Sequence, residues 1–113
     1  MTFDEYQREA ATTAHYPGRL ESNPIYPVLG LNGEAGEVAE KLKKLIRDEE
    51  WEKGPLPENV RAAMAKELGD VLWYISACCD ELEITMAEVA QINIDKLRSR
   101  QKRDKIKGSG DDR

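Results

Sequence analysis

The sequence predicts an all-α chain, a four-helix bundle-like fold in one domain over residues 1–113. Three observations carry that expectation. Apolar residues recur at helical spacing in four stretches, and no stretch alternates with the period of two that a half-buried strand requires. Thr2 and Thr85 each stand three residues before a glutamate, Glu5 and Glu88, which is the chemistry that opens a helix. Loops of modest length, marked by proline and glycine, separate the stretches.

Phe3, Tyr6, Ala10 and Thr13 trace one face of the first helix, which the sequence lets run towards His15–Gly18. His15 reads as an ordinary helix-end residue. Pro17, Pro24 and Pro27, with Gly18 and Asn23, make Tyr16 to Pro27 a loop of defined bends. The second helix is expected from about Val28 to Arg47, with Leu31, Glu34, Val38, Leu42 and Leu45 on one stripe and cations towards its C-terminal end. Gly54-Pro55 and Pro57 mark the next loop. The third helix starts at Pro57–Glu58 and runs to about Leu82, with Val60, Met64, Glu67, Val71, Tyr74 and Cys78 on its inner stripe. The fourth starts at Thr85 and is expected to turn Met86, Val89, Ile92 or Asn93, and Lys96 or Leu97 inwards. From Asp104 to Arg113 periodicity is lost, and the segment reads as a flexible tail.

Charge narrows the function. The formal net charge is −5, but residues 1–90 hold 9 Lys+Arg against 18 Asp+Glu, while residues 91–113 hold 8 against 4. An acidic body argues against a nucleic acid polymer as partner, which needs a broad basic face. A basic end beside an acidic cluster suits a small anionic substrate. Cys78 and Cys79 are adjacent and lie in an apolar run, so they read as core thiols in a reducing compartment. No apolar run approaches the roughly 20 residues of a membrane span, and the first residues lack a signal-peptide core, so the expectation is a cytoplasmic protein with no membrane partner.

Two acidic pairs share one shape, Glu34-x-x-Glu37 and Glu67-x-x-Asp70. Residues three apart share a helix face, so each pair can aim both carboxylates at one spot. Taken alone such a pair is common on solvated helices. Here Glu34 and Glu67 interrupt apolar stripes, where an unpaired charge is costly and calls for cationic company. Converging oxygen donors suit Mg²⁺, with Mn²⁺ as a substitute. Gly33, Gly36 and Gly69 flank these acids, at roughly 1 kcal/mol each relative to alanine in a helix interior, so either a ligand or a neighbouring helix is expected to come close. Lys96 and Arg100 share a face and could meet phosphate oxygens, and Asn93 lies a turn earlier. Tyr74 falls on the acid-bearing side of the third helix and is the best stacking surface for a base. Trp73 reads as core or interface.

GLNGEAGEVAEKLKKLIRD, then KELGDVLWYI, then NIDKLRSR resemble the MazG family of nucleoside triphosphate pyrophosphohydrolases over roughly residues 26–100. The resemblance implies the all-α MazG fold, assembled as a dimer or dimer of dimers, hence a homodimer or homotetramer. It implies an Mg²⁺-dependent hydrolase that converts a (deoxy)nucleoside triphosphate to the monophosphate and pyrophosphate. Glu34, Glu37, Glu67 and Asp70 would be metal ligands, and Lys96 and Arg100 would contact the triphosphate. Glu34 is preferred as general base, with Tyr74 and Asn93 completing substrate binding. The 29 residues between Glu37 and Glu67 sit at or slightly past the long end of the family range, read as a longer loop at Asp48–Pro57. Two other functions fit the same residues. One is phosphoribosyl-ATP pyrophosphohydrolase activity, and the other is a non-catalytic helical interaction module whose acids bind a structural cation.

Overall fold

α1 and α4 open where a threonine side chain takes over a free backbone amide. The computed structural model describes residues 1–104 and 106–112; Lys105 and Arg113, both within the expected tail, lie outside the described residues. The helices are α1 (Phe3–Ala11), α2 (Ile25–Glu49), α3 (Glu58–Glu81) and α4 (Met86–Lys102), with no strand among the described residues. Thr2 Oγ1 accepts the Glu5 amide at 3.1 Å, and at α4 the full reciprocal box forms between Thr85 and Glu88. Two boundaries differ from the sequence expectation. The first helix stops at Ala11 rather than near His15, because the Thr12 and Thr13 hydroxyls donate to the carbonyls of Glu9 and Ala10 at 2.6 and 2.7 Å. The second helix starts at Ile25, three residues early. Pro27 sits in its first turn, where an amide would have no intrahelical partner, and Asn23 Oδ1 accepts the Ile25 amide at 3.2 Å.

α2 and α3 form the main packed pair, and α1 lies across α3 and α4. Their facing stripes are those expected: Leu31, Val38 and Leu42 on α2, and Val60, Met64, Val71 and Cys78 on α3 are half-buried, and Leu45 is buried. Gln7 ties the ends together. Its amide nitrogen donates to Asp80 at 2.8 Å and to the Ile84 carbonyl at 3.3 Å, while its oxygen accepts the Met86 amide at 2.9 Å.

A second tie fixes the loop before α2. Glu81, 3% exposed, accepts the Tyr16 hydroxyl at 2.5 Å and the amides of Leu20 and Asn23 at 2.8 and 3.2 Å. Burial alone would push the Glu81 carboxyl up. The hydrogen bonds from Tyr16 and the amides of Leu20, Asn23 and Glu21 outweigh it and hold the carboxyl below its ordinary value. Tyr16 is raised in turn, by burial first and by Glu81 second. Ala14, Tyr16 and Ala77 form a small core under Trp73.

α4 departs from a closed bundle. It packs on α1 and α3 but not on α2. Met86 and Arg100 are its buried residues, while Val89, Ile92, Ile94 and Leu97 are 38–59% exposed, so Val89 and Ile92 face outwards, against the sequence expectation. The radius of gyration is 17.0 Å, against about 13 Å for a compact chain of this length. Among the described residues no helix is long and apolar enough to cross a membrane.

Candidate metal and nucleotide site

The α2–α3 pairing brings Glu34 from one helix beside Glu67 and Asp70 from the other. Ligand oxygens of these three residues lie within 4.8 Å of one another. Glu34 and Glu67 are half-buried and Asp70 is exposed, so the cluster stands at the mouth of the seam rather than beneath it. Burial raises the Glu34 carboxyl above its ordinary value, and the charges of Asp70, Glu67 and Glu37 raise it further. Glu37 is exposed and lies outside this group of three, although its charge reaches Glu34.

The expected cationic company is only partial within the chain. Lys41 Nζ stands 3.5 Å from Glu67 Oε1. The sequence places Lys41 only among the cations that complement the α2 dipole, although it follows Glu37 by one turn. Tyr6 on α1 lies within reach of the Asp70 charge; burial first and Asp70 second raise its phenol.

A cleft of about 290 Å³ lies against the acids, lined by Glu34, Asp70, Trp73 and Tyr74. Trp73 is therefore a wall of the cleft and not simply core. Its indole donates to Thr13 Oγ1 at 2.8 Å, and its ring meets Tyr74 edge-on at 5.0 Å. Tyr26 stacks on Tyr16 at 5.7 Å, and Tyr16 meets Trp73 edge-on at 6.3 Å, so the Glu81-clamped loop backs this aromatic wall. Gly30 explains how Tyr74 sits there. A Cβ at Gly30 would overlap the Tyr74 ring, so the ring rests on bare α2 backbone one turn before Glu34. At Gly33, Gly36 and Gly69 a Cβ would find nothing within 4 Å among the described residues beyond its own stretch of helix. No helix of the same chain therefore makes the close approach expected at those three glycines.

Asn93, Lys96 and Arg100 stand on α4, which does not pack against α2. Asn93 is exposed and Lys96 half-buried. Arg100 is 4% exposed. These three residues are therefore not packed against the helix that carries Glu34.

The MazG nucleotide pyrophosphohydrolase domain matches residues 26–104, a span that includes Glu34, Glu37, Glu67, Asp70, Lys96 and Arg100. The Gene 37 protein of Mycobacterium phage L5 is 42% identical over 117 aligned positions, covering 100% of both chains. No solved structure matches the chain significantly.

Proposed function

The chain belongs to the MazG nucleotide pyrophosphohydrolase family, and we propose that it converts a (deoxy)nucleoside triphosphate to the monophosphate and pyrophosphate, with Mg²⁺ or Mn²⁺ held by Glu34, Glu37, Glu67 and Asp70. The observation that carries this reading is the convergence of Glu34, Glu67 and Asp70 from two helices within 4.8 Å. Like charges so close need a counter-charge, and an oxygen-only donor set suits a hard divalent cation. Glu37, one turn from Glu34, is the fourth donor. The cation supplies charge neutralisation at the phosphate oxygens when bound.

The chain's own residues do the rest. Glu34, raised by burial and by its acidic neighbours, takes a proton from water as the water oxygen bonds to the α-phosphorus. The bond from that phosphorus to the bridging oxygen breaks, and the electron pair leaves on pyrophosphate. Tyr74 offers a ring face beside the acids for the base, with Trp73 closing the same cleft. Lys96, Arg100 and Asn93 hold the triphosphate, Arg100 by directional hydrogen bonds and Lys96 as a point charge.

Because α4 stands off α2, these cations reach an acid cluster through assembly of two copies, as a dimer or dimer of dimers. Surface area supports that assembly. The chain exposes 8335 Å², whereas a compact monomer of 12.8 kDa exposes about 6,300 Å². The excess includes Ile25, Val28 and Leu29 on α2 and Ile92 on α4, each at least half exposed.

The test is pyrophosphate release with Mg²⁺ across the NTPs and dNTPs. Glu67→Gln should lower turnover by roughly 100-fold or more with the circular dichroism of the helices unchanged. Turnover retained by that variant contradicts the assignment.

A further inference from the structure

Lys96 and Arg100, the cations assigned to the triphosphate, are already engaged by the chain's own C-terminal segment. Asp111 Oδ1 lies 3.1 Å from Lys96 Nζ and 3.3 Å from Arg100 Nη2. The same guanidinium nitrogen donates to the carbonyl oxygens of Asp111 at 2.6 Å and Gly110 at 3.3 Å. One carboxylate oxygen thus bridges two cations four residues apart on α4, as a phosphate oxygen would.

We propose that the Gly108–Asp111 segment is an autoinhibitory strap, with the Asp111 carboxylate standing in for a phosphate of the substrate and yielding its place when the triphosphate binds. This inference rests on the assignment of Lys96 and Arg100 to the triphosphate.

Three features favour a displaceable plug over a permanent clasp. The Asp111 side chain is 82% exposed while its Arg100 partner is 5% exposed, so water and competing anions reach the acid but the guanidinium is fixed. Arg100 Nε is buried without a hydrogen-bond partner among the described residues, so the strap leaves donor capacity unused that a polyanion with more oxygens can fill. Gly108 and Gly110 take positive φ, at 124° and 84°, which gives the strap turns open to glycine at little steric cost. Lys96 and Arg100 hold the Asp111 carboxyl below its ordinary value.

A closed strap reduces the fraction of molecules able to bind, and apparent affinity falls by that fraction. The ion pairs are partly exposed, which limits the effect to about fivefold. The experiment compares the unaltered chain with Asp111→Ala and with Asp112→Ala, which changes net charge equally. Two readouts are used: KM and kcat for pyrophosphate release, and calorimetric titration with inorganic triphosphate. Asp111→Ala is expected to lower KM, and to tighten triphosphate binding, by about fivefold relative to Asp112→Ala, with kcat held. A chain ending at Lys107 should match or exceed it. Equal triphosphate affinity in the two aspartate variants, or a loss of thermal stability in Asp111→Ala without tighter binding, overturns the strap. If no variant releases pyrophosphate, the reaction assignment fails, and the triphosphate titration still decides the strap.

Discussion

Glu81 and Glu34 are both acids on inward faces of long helices, and the chain treats them oppositely. Glu81 is finished from within: a phenol and backbone amides of one loop close on it, and its carboxyl is lowered. Glu34 is left crowded, with burial and three acidic neighbours raising its carboxyl and Lys41 reaching only its neighbour Glu67. A carboxylate whose partners are all supplied by the chain holds structure together. One whose partners repel it, at the edge of an aromatic cleft, is a group waiting for something from outside.

The contrast can be broken most sharply at Glu34. Glu34→Gln should lower kcat by about 10²-fold or more, the range for a lost general base, and should leave the thermal midpoint of the metal-free protein unchanged or higher. A lower midpoint in scanning calorimetry would place Glu34 with Glu81 instead. Glu81→Ala should behave the other way. It strands the Tyr16 hydroxyl and the Leu20 and Asn23 amides, and should cost roughly 3 kcal/mol in urea unfolding. An effect under about 1 kcal/mol would mean that the loop is held by Tyr16 packing alone.

Acidity extends the same comparison. A folded-state carboxyl below its unfolded value stabilises the fold above the unfolded pKa, and the benefit is lost as pH falls through the folded value. For Glu81 the loss therefore sets in below about pH 4.3, the ordinary glutamate value. Thermal midpoints should fall there in the native chain and flatten in Glu81→Gln; parallel curves would contradict the assignment. The smallest effect is expected at Gly30. Gly30→Ala should displace the Tyr74 ring and raise KM about fivefold, the low end of the roughly 1–3 kcal/mol for one lost base stack, with the far-ultraviolet spectrum unchanged. An unaltered KM would remove Tyr74 from the base site.

Much of this was legible in local sequence. The capping residues at Thr2 and Thr85 and the two stripes on α2 and α3 are short-range signals, and the structure keeps them. The convergence of three of the four acids was legible for the same reason, since helical spacing puts Glu67 beside Asp70 and leaves only the α2–α3 register to bring in Glu34, whereas Glu37 at the same spacing stays outside the group. Long-range ties were not. Glu81 resembles any helix-end acid, because the partners that define it lie 58–65 residues earlier. Gly30 carries no local signal that sets it apart, and only packing of α3 shows that Tyr74 needs it. The stance of α4 was hidden too, since Val89 and Ile92 have the spacing of a core face whether the face meets α2 or lies open.

In the proposed reading Glu34, Glu67 and Asp70 share a divalent cation. Electron paramagnetic resonance of a Mn²⁺ titration tests it without requiring turnover. Saturable binding by the native chain that is competed by Mg²⁺ and lost in Glu67→Gln is the predicted result; equal Mn²⁺ binding by the two proteins would contradict it.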